Sequence, residues 1–492
     1  MAYSDYQQFL ARLEQEGELK RITHPLDPYL EITEVADRAM KSDGPALLIE
    51  NPVGSQYPLC INAFGSRRRM SMALGVDDFE EIAAEIDDLL KPELPEPRPG
   101  LLGKALSIPQ VLPQLGKLFN VAKSLPPELL TSAISQEVVK TGDQIDLFEF
   151  PHLHCWPLDG GRYITLPLVF THDPNTGKRN VGMYRIQVLE KAKTAMHWQA
   201  HKVGAEHYRR AEERNQPIHV AVALGGDPAL TFAAVAPLPP AIDELMFAGF
   251  VRKKPVQMVK AKTVDLMVPA DAEIVIEGIV NPGERCTEGP FGDHTGYYSL
   301  ADEYPVFHIT AVTHRAKPVY PATIVGIPPM EDGWIGKAVE RIFLPLVKTT
   351  MPEIIDMHLP VHGCFHNVCL VSIKKRYPGH AFKVMHGLWG LGQLMFSKFI
   401  FVFDEDVNVQ DLNEAIWRLG ANVDPARDSC IVKGPVDVLD HTSPIMGLGG
   451  KLGLDATHKW PGEGFQREWP DVITMSPEVK SRIDSIWDRL GL

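Results

Sequence analysis

The chain has 492 residues and 54.7 kDa, 45% hydrophobic and 23% charged, the composition of an ordinary globular protein of about two to four domains. A net charge of −14 argues against a nucleic-acid partner, because phosphate binding relies on concentrated Lys and Arg, and the basic clusters here (Arg67 to Arg69, Arg252 to Lys254, Lys374 to Arg376) are short. Six cysteines without CxxC spacing, acids at Asp5 and Glu14 where a signal peptide needs a basic start, and no apolar run of membrane length give the expectation of a cytoplasmic protein, one that an apolar substrate could bring to a membrane surface.

Ser4 with Gln7 three residues on is a capping-box pattern, Phe9, Leu10 and Leu13 share a face, and Gly17 is a stop, so the chain opens on a short helix. Strands over 19–22, 46–49 and 59–63 and a helix over 31–40 give a small α/β domain, taken as 1–78. Residues 79–98 turn acidic and then proline-rich, the mark of a linker, and 101–125 is apolar with helical character; together they make a connecting segment over 79–135.

From 136 to 320 the texture changes to short β-branched or alternating runs at 164–170, 182–189, 195–198, 218–224, 257–260, 273–279 and 306–313, bounded by turn residues, which argues for a barrel or sandwich. The exception is a helical pattern over 241–251 that carries Glu244. A helix over 336–348, a strand over 367–373, a helix over 380–394, a strand over 399–403 and a helix over 411–419 then alternate as in a layered α/β domain, 321–460. Alternation through Cys364, His366, Val368 and Leu370 fits a strand better than a zinc site. The tail from about Asp437 is irregular and Gly-rich, and within 461–492 Ser476 and Pro477 begin a last helix.

Residues 288–298, EGPFGDHTGYY, place Glu288, Asp293 and His294 on a backbone bent by Gly289, Pro290, Gly292 and Gly296, a shaped loop. Alone, such a loop is ordinary solvated surface. Alternation in a strand entered at Asn180 puts Tyr184 opposite Met183 and Arg185, and the next strand ends in Met196 to Lys202, with an amide, imidazoles and an ammonium near a turn. Asn180, His201 and Glu244 together are an oxygen and imidazole set suited to manganese or magnesium, although His201 by itself reads more readily as a hydrogen-bonded histidine.

In these segments, and in 44–51, 243–249, 377–380, 424–428 and 453–457, the chain resembles the UbiD-type decarboxylases that use prenylated flavin mononucleotide, in order and spacing over nearly its whole length. The resemblance implies a split-barrel flavin-binding domain between a small N-terminal domain and a C-terminal α/β oligomerisation domain, assembled as a homo-oligomer, dimer or hexamer. It implies that Asn180, His201 and Glu244 hold a divalent metal, typically manganese, with potassium nearby in some members. Met183, Tyr184, Arg185, His197, Trp198, Gln199, Lys202 and Val203 would contact the flavin, supplied by a flavin prenyltransferase, and Arg185, Glu288 and Asp293 match the catalytic Arg, Glu and acid. Some relatives have Glu at the position of Asp293 and Arg-Gly where this chain has Lys202-Val203.

Loss of CO₂ from an aromatic ring leaves a carbanion that no ordinary side chain delocalises, so a cofactor must take the electrons. Arg185 is then expected to anchor the substrate carboxylate and hold Glu288 ionised, while Asp293, its pKa raised in a closed pocket, donates the proton. Residues 196–202, 328–333 and 365–367 look more like relatives acting on 1,4-dihydroxy-6-naphthoate, or a prenylated form of it, in the futalosine route to menaquinone than like those acting on 4-hydroxy-3-polyprenylbenzoate for ubiquinone. A flavin reductase would need a hydride-donor site, and no GxGxxG follows a strand; a non-catalytic flavin or metal-binding subunit of a carboxylase complex would not need the Arg, Glu and Asp set.

Overall fold

The computed structural model describes residues 2–90, 125–239 and 242–491. The expected helical segment at 101–125 lies, but for its last residue, outside them. Among the described residues the architecture is mixed α/β with four sheets.

The first helix, Tyr6–Gln15, is capped one residue later than Ser4 and Gln7 suggest: the Asp5 carboxylate accepts from the Gln8 N–H at 2.8 Å, and the Ser4 N–H donates to the Gln8 side chain at 2.6 Å. Strands Leu19–Ile22, Ala46–Ile49 and Leu59–Ile61 form a small sheet that takes its fourth strand, Tyr320–Pro321, from far along the chain. Residues 80–90, expected as linker, are instead the helix Glu80–Leu90: Ile82 and Ala83 are buried, Ile86 and Leu89 pack on the same core, and Glu80 pairs with Arg341 of the long helix Glu331–Thr350 at 2.6 Å. Its acidic face hid an amphipathic period.

The central sheet runs in the order Arg162–Ile164, Ile186–Glu190, Lys193–Met196, Asp302–His314, Ile274–Glu288, Ile218–Leu224, Leu168–His172, Arg179–Met183, with Val138–Thr141 added on Asp302–His314. The strand at one end, Arg179–Met183, leads through Tyr184 and Arg185 alone into Ile186–Glu190, the strand next to the other end. The sheet must therefore curl until its ends meet, an open barrel with Arg185 in the seam. The expected single strand over 182–189 is thus two strands, and the alternation that set Tyr184 against Met183 and Arg185 does not apply across the break. Residues 164–170 divide in the same way. Both faces of the sheet are buried: Leu168, Phe170, Ala221 and Ala223 join one apolar core and Val169, Val220, Val222 and Leu224 the other. Helices Val203–Glu213 and Pro228–Ala233, unforeseen in the sequence, lie between barrel strands.

The C-terminal sheet, in the order Ile354–His358, Val368–Ile373, Phe399–Asp404, Leu448–Asp455, Ser429–Pro435, has parallel pairing at its centre and antiparallel edges. The Gly-rich tail read as irregular contains a central strand of it, Leu448–Asp455. The strand expected to run through Cys364 and His366 starts only at Val368; Cys364 and Phe365 have positive φ and form a turn. The last helix, Pro477–Asp484, is capped by Ser476 as expected and has no buried residue.

Candidate active site

Arg185 sits in the barrel seam, where the backbone leaves one strand before joining the next and the side chain is free to turn inward. Glu288 is the last residue of the long strand Ile274–Glu288, whose final ladder pairs Glu288 with Asp302. The loop that follows is shaped by its own sequence. Gly289 has φ +90°, and a Cβ on Gly292 would come within 2.3 Å of the Trp156 ring. Asp159 fastens the loop from below, accepting from the Gly292 N–H at 2.8 Å through one oxygen and from the Cys155 and Trp156 N–H groups through the other. The Gln187 side chain accepts from the Gly289 N–H at 2.8 Å, and the Gly160 N–H donates to the Pro290 carbonyl at 2.7 Å.

This framework brings Arg185, Glu288 and Asp293 together. The Arg185 fork donates through Nε to one Glu288 oxygen at 2.8 Å and through one terminal nitrogen to the other at 3.1 Å; the same nitrogen reaches Ser299 Oγ at 3.0 Å, and the other terminal nitrogen pairs with Asp293. The guanidinium lies 4.7 Å above the Phe291 ring. His197 Nδ1 is 3.0 Å from Glu288, whose side chain is fully buried. Burial pushes the Glu288 carboxyl up, but the hydrogen bonds from His197 and Arg185 outweigh it and hold it below its usual range; burial and the Arg185 charge keep His197 neutral.

Asp293 departs from expectation. Burial raises it, yet the hydrogen bond from His294 and the charge of Arg185 prevail, and the net shift is downward, not upward. The sequence reading sets Asp293 in a closed, partly apolar pocket, whereas the fold delivers two cations to it, Arg185 and His294. His294 holds the carboxylate twice, through its backbone N–H at 2.7 Å and its Nδ1 at 3.0 Å; against the cost of burial, this pairing lifts the imidazole to about 9. His294 Nε2 in turn lies 3.0 Å from Nε2 of His366, which stands 3.3 Å from Asp437. His294 was visible in the loop, but nothing in sequence spacing connects it with His366 and Asp437, over 70 residues away.

The remaining residues of the expected site form two groups. His197 Nε2 and Trp198 Nε1 are buried with no partner among the described residues. Lys202, before the helix Val203–Glu213, is half-buried with its ammonium disfavoured by burial, and no hydrogen bond from it is made among the described residues. An indole N–H and an ammonium left without an acceptor, and an imidazole nitrogen left without a donor, fit a polar, anionic cofactor such as a flavin phosphate. Met183 and Gln199 are half-buried, Tyr184 is buried and Val203 exposed. In the metal set, Asn180 and Glu244 come together: the Glu244 carboxylate accepts from the Val181 N–H at 3.3 Å, and burial, reinforced by Asp243, lifts it to about 7, as suits a carboxylate short of a cation. The His201 ring lies 4.9 Å from that of Phe396 instead, and no hydrogen bond or ion pair joins it to Asn180 or Glu244 among the described residues. Lys383 is paired with Glu353.

Three family descriptions match the chain in series: 3-octaprenyl-4-hydroxybenzoate carboxy-lyase N-terminal domain at 10–86, Rift-related domain at 129–328 and C-terminal domain at 333–456. The chain belongs to the UbiD family of carboxy-lyases. An uncharacterized protein of Aquifex aeolicus is 53% identical over 100% of this chain and 99% of its own. Among solved structures, the closed form of vanillic acid decarboxylase from Sedimentibacter hydroxybenzoicus superposes with TM-score 0.86 at 28% identity, covering 100% of this chain and 99% of the other; its open form gives 0.78. The UbiD-class enzyme HmfF from Pelotomaculum thermopropionicum, in complex with FMN, superposes with TM-score 0.77 at 29% identity over 97% of this chain and 98% of its own.

Proposed function

We propose that this chain is a non-oxidative decarboxylase of a hydroxylated aromatic acid, acting with prenylated FMN in quinone biosynthesis on an acid of the 1,4-dihydroxy-6-naphthoate type. The observation that carries the reading is the buried triad in which one guanidinium holds both Glu288 and Asp293, near the unpartnered ring nitrogens of His197 and Trp198. Prenylated FMN, when bound, supplies the electron sink for the pair left on the ring as CO₂ departs. The backbone of Met183 to Arg185 with His197, Trp198, Gln199 and Val203 would hold it, Lys202 facing the phosphate. Asn180, His201 and Glu244 would hold manganese, with potassium nearby. The assembly is a homo-oligomer, and the exposed apolar residues Val479, Trp487 and Leu490 at the C-terminus support self-association. The divisions 1–78, 79–135, 136–320, 321–460 and 461–492 remain our proposed domains.

The residues divide the work. Arg185 offers a planar fork to the substrate carboxylate, which competes with Asp293 for the same guanidinium. Glu288, tied to Arg185 and His197, stays ionised and keeps Arg185 aimed. Drawing Arg185 toward the substrate removes one of the two cations that hold Asp293 ionised, so its affinity for a proton rises. His294 carries that proton at Nδ1, against Asp293 Oδ1, and Asp293 passes it to the ring carbon that lost CO₂. The low Asp293 pKa of the resting arrangement is therefore compatible with its role as donor.

The segment 365–367, which carries the naphthoate resemblance, adjoins this centre: the Phe365 and His294 rings are 5.3 Å apart. That position supports the branch assignment. Protein co-expressed with a flavin prenyltransferase, purified and assayed for CO₂ release, tests it. The expected result is bound prenylated flavin and faster release from 1,4-dihydroxy-6-naphthoate than from 4-hydroxy-3-polyprenylbenzoate. The reverse preference would move the chain to the ubiquinone branch, and flavin-loaded protein inert on both would remove the assignment.

A further inference from the structure

His294, His366 and Asp437 come from three separated segments: the loop after Ile274–Glu288, the turn before Val368–Ile373 and the turn after Ser429–Pro435. Their ligating atoms converge on one point. His294 Nε2 and His366 Nε2 are 3.0 Å apart, Asp437 Oδ2 is 3.3 Å from the second and 3.8 Å from the first. Hydrogen bonds satisfy such a group poorly: a proton on His294 Nε2 can serve His366 Nε2, but the Asp437 oxygen 3.3 Å from that nitrogen then meets a lone pair, and a second proton on His366 Nε2 would face the first across 3.0 Å. One cation at the centre satisfies all three. Zinc bonded at about 2.0–2.1 Å in tetrahedral geometry sets its donor atoms about 3.3 Å apart, within the range of 3.0 to 3.8 Å found here.

The outer contacts have the arrangement a metal ligand needs. His294 directs its other nitrogen, Nδ1, to the Asp293 carboxylate at 3.0 Å, a carboxylate–histidine pair that fixes the ring with Nε2 presented inward. Asp437 is oriented by the Leu439 N–H, which donates to its Oδ1 at 2.9 Å and leaves Oδ2 facing the histidines. Two imidazoles and a carboxylate form a three-ligand set with a fourth position open to an oxygen donor.

We propose that His294, His366 and Asp437 bind one divalent ion of the zinc class, distinct from the position of Asn180 and Glu244. The ion ties the loop bearing Asp293 to the C-terminal sheet; it takes the place of the proton on His294 Nε2 and leaves the Nδ1–H toward Asp293 in place. The site is a property of the polypeptide, independent of the flavin, so its failure and the failure of the decarboxylase reading are separate results.

The test uses full-length, cofactor-free protein carrying Glu244→Gln to silence the other carboxylate. Equilibrium dialysis against zinc is expected to give one ion per chain and a Tm raised by several degrees, both lost in His366→Ala and in Asp437→Ala, whose metal-free Tm and circular dichroism show them folded. Cobalt(II) added to the same parent protein is expected to give the visible absorption of a four-coordinate N/O site, which needs no further variant and decides the matter if either alanine protein fails to fold. Zinc uptake unchanged by both substitutions, or no uptake and no cobalt spectrum in the parent protein, overturns the proposal.

Discussion

Two buried ionic clusters in this molecule use the same side-chain chemistry. In one, Glu340 is fully buried and accepts from Lys337 at 2.7 Å and the Leu359 N–H at 2.6 Å, with His358 at 3.3 Å and Arg341 at 3.5 Å, while Gln410 bridges onward to Asp356 at 3.0 Å. In the other, Glu288 is equally buried and meets Arg185 and His197. Both carboxylates are held below their usual range by their partners in spite of burial. A buried, paired and shifted acid therefore does not identify an active site. The difference lies at the margin. The Glu340 cluster ties the helix Glu331–Thr350 to the strand Ile354–His358, whereas near Glu288 the ring nitrogens His197 Nε2 and Trp198 Nε1 find no partner among the described residues, and the second acid, Asp293, sits on a glycine-shaped loop. One cluster joins elements; the other presents groups to a ligand.

Substitutions can break that contrast. Arg185→Lys keeps the charge and loses the planar fork, and is expected to lower kcat/KM by about 10²- to 10³-fold with a small change in Tm; a near-normal rate would mean that Arg185 only balances charge. Glu340→Gln should do the opposite, costing about 3–5 kcal/mol in denaturant unfolding by leaving Lys337 and Arg341 without their buried partner, with kcat per folded molecule little changed. Loss of turnover in that variant at full stability would merge the two clusters into one functional unit. Lys202→Ala is expected to weaken flavin binding about 10- to 100-fold, the worth of a charge-assisted hydrogen bond to phosphate, measured by fluorescence titration.

The smallest expected effect lies away from both clusters. His152 is fully buried with Nδ1 2.8 Å from the Tyr320 hydroxyl, and burial lowers its pKa from 6.5 to about 3. Because the folded pKa is depressed, the unfolded chain binds the extra proton, so this contribution to stability is complete above about pH 6.5 and declines as pH falls toward 3. At pH 5 the loss amounts to about 2 kcal/mol. His152→Gln should flatten the pH dependence of Tm between pH 7 and 5 relative to the parent; an unchanged slope would assign the acid sensitivity elsewhere.

How far the sequence reached follows from the same physics. The short strands of the N-terminal sheet and the helix carrying Glu244 were legible because turn residues and periodicity mark them locally. Arg185, Glu288 and Asp293 were singled out through the resemblance of their motifs to the UbiD-type decarboxylases, since the glycine-bent loop alone reads as solvated surface. The seam at Tyr184 and Arg185 was not, since apolar alternation continues across 182–189 and only closure of the sheet requires the break. Neither was the downward shift of Asp293: a pKa depends on which charges the fold brings near, and Arg185 lies 108 residues away in the chain. The helix Glu80–Leu90 was obscured by its acids, and the strand Leu448–Asp455 by its glycines.

The central claim is that Asp293, held by Arg185 and supplied by His294, protonates the ring. Its most direct test is CO₂ release by Asp293→Asn against the parent, both co-expressed with a flavin prenyltransferase and matched for cofactor by absorbance and mass. The account expects equal flavin content and at least a 10³-fold loss of turnover in the variant. Equal flavin content with turnover near that of the parent would contradict it.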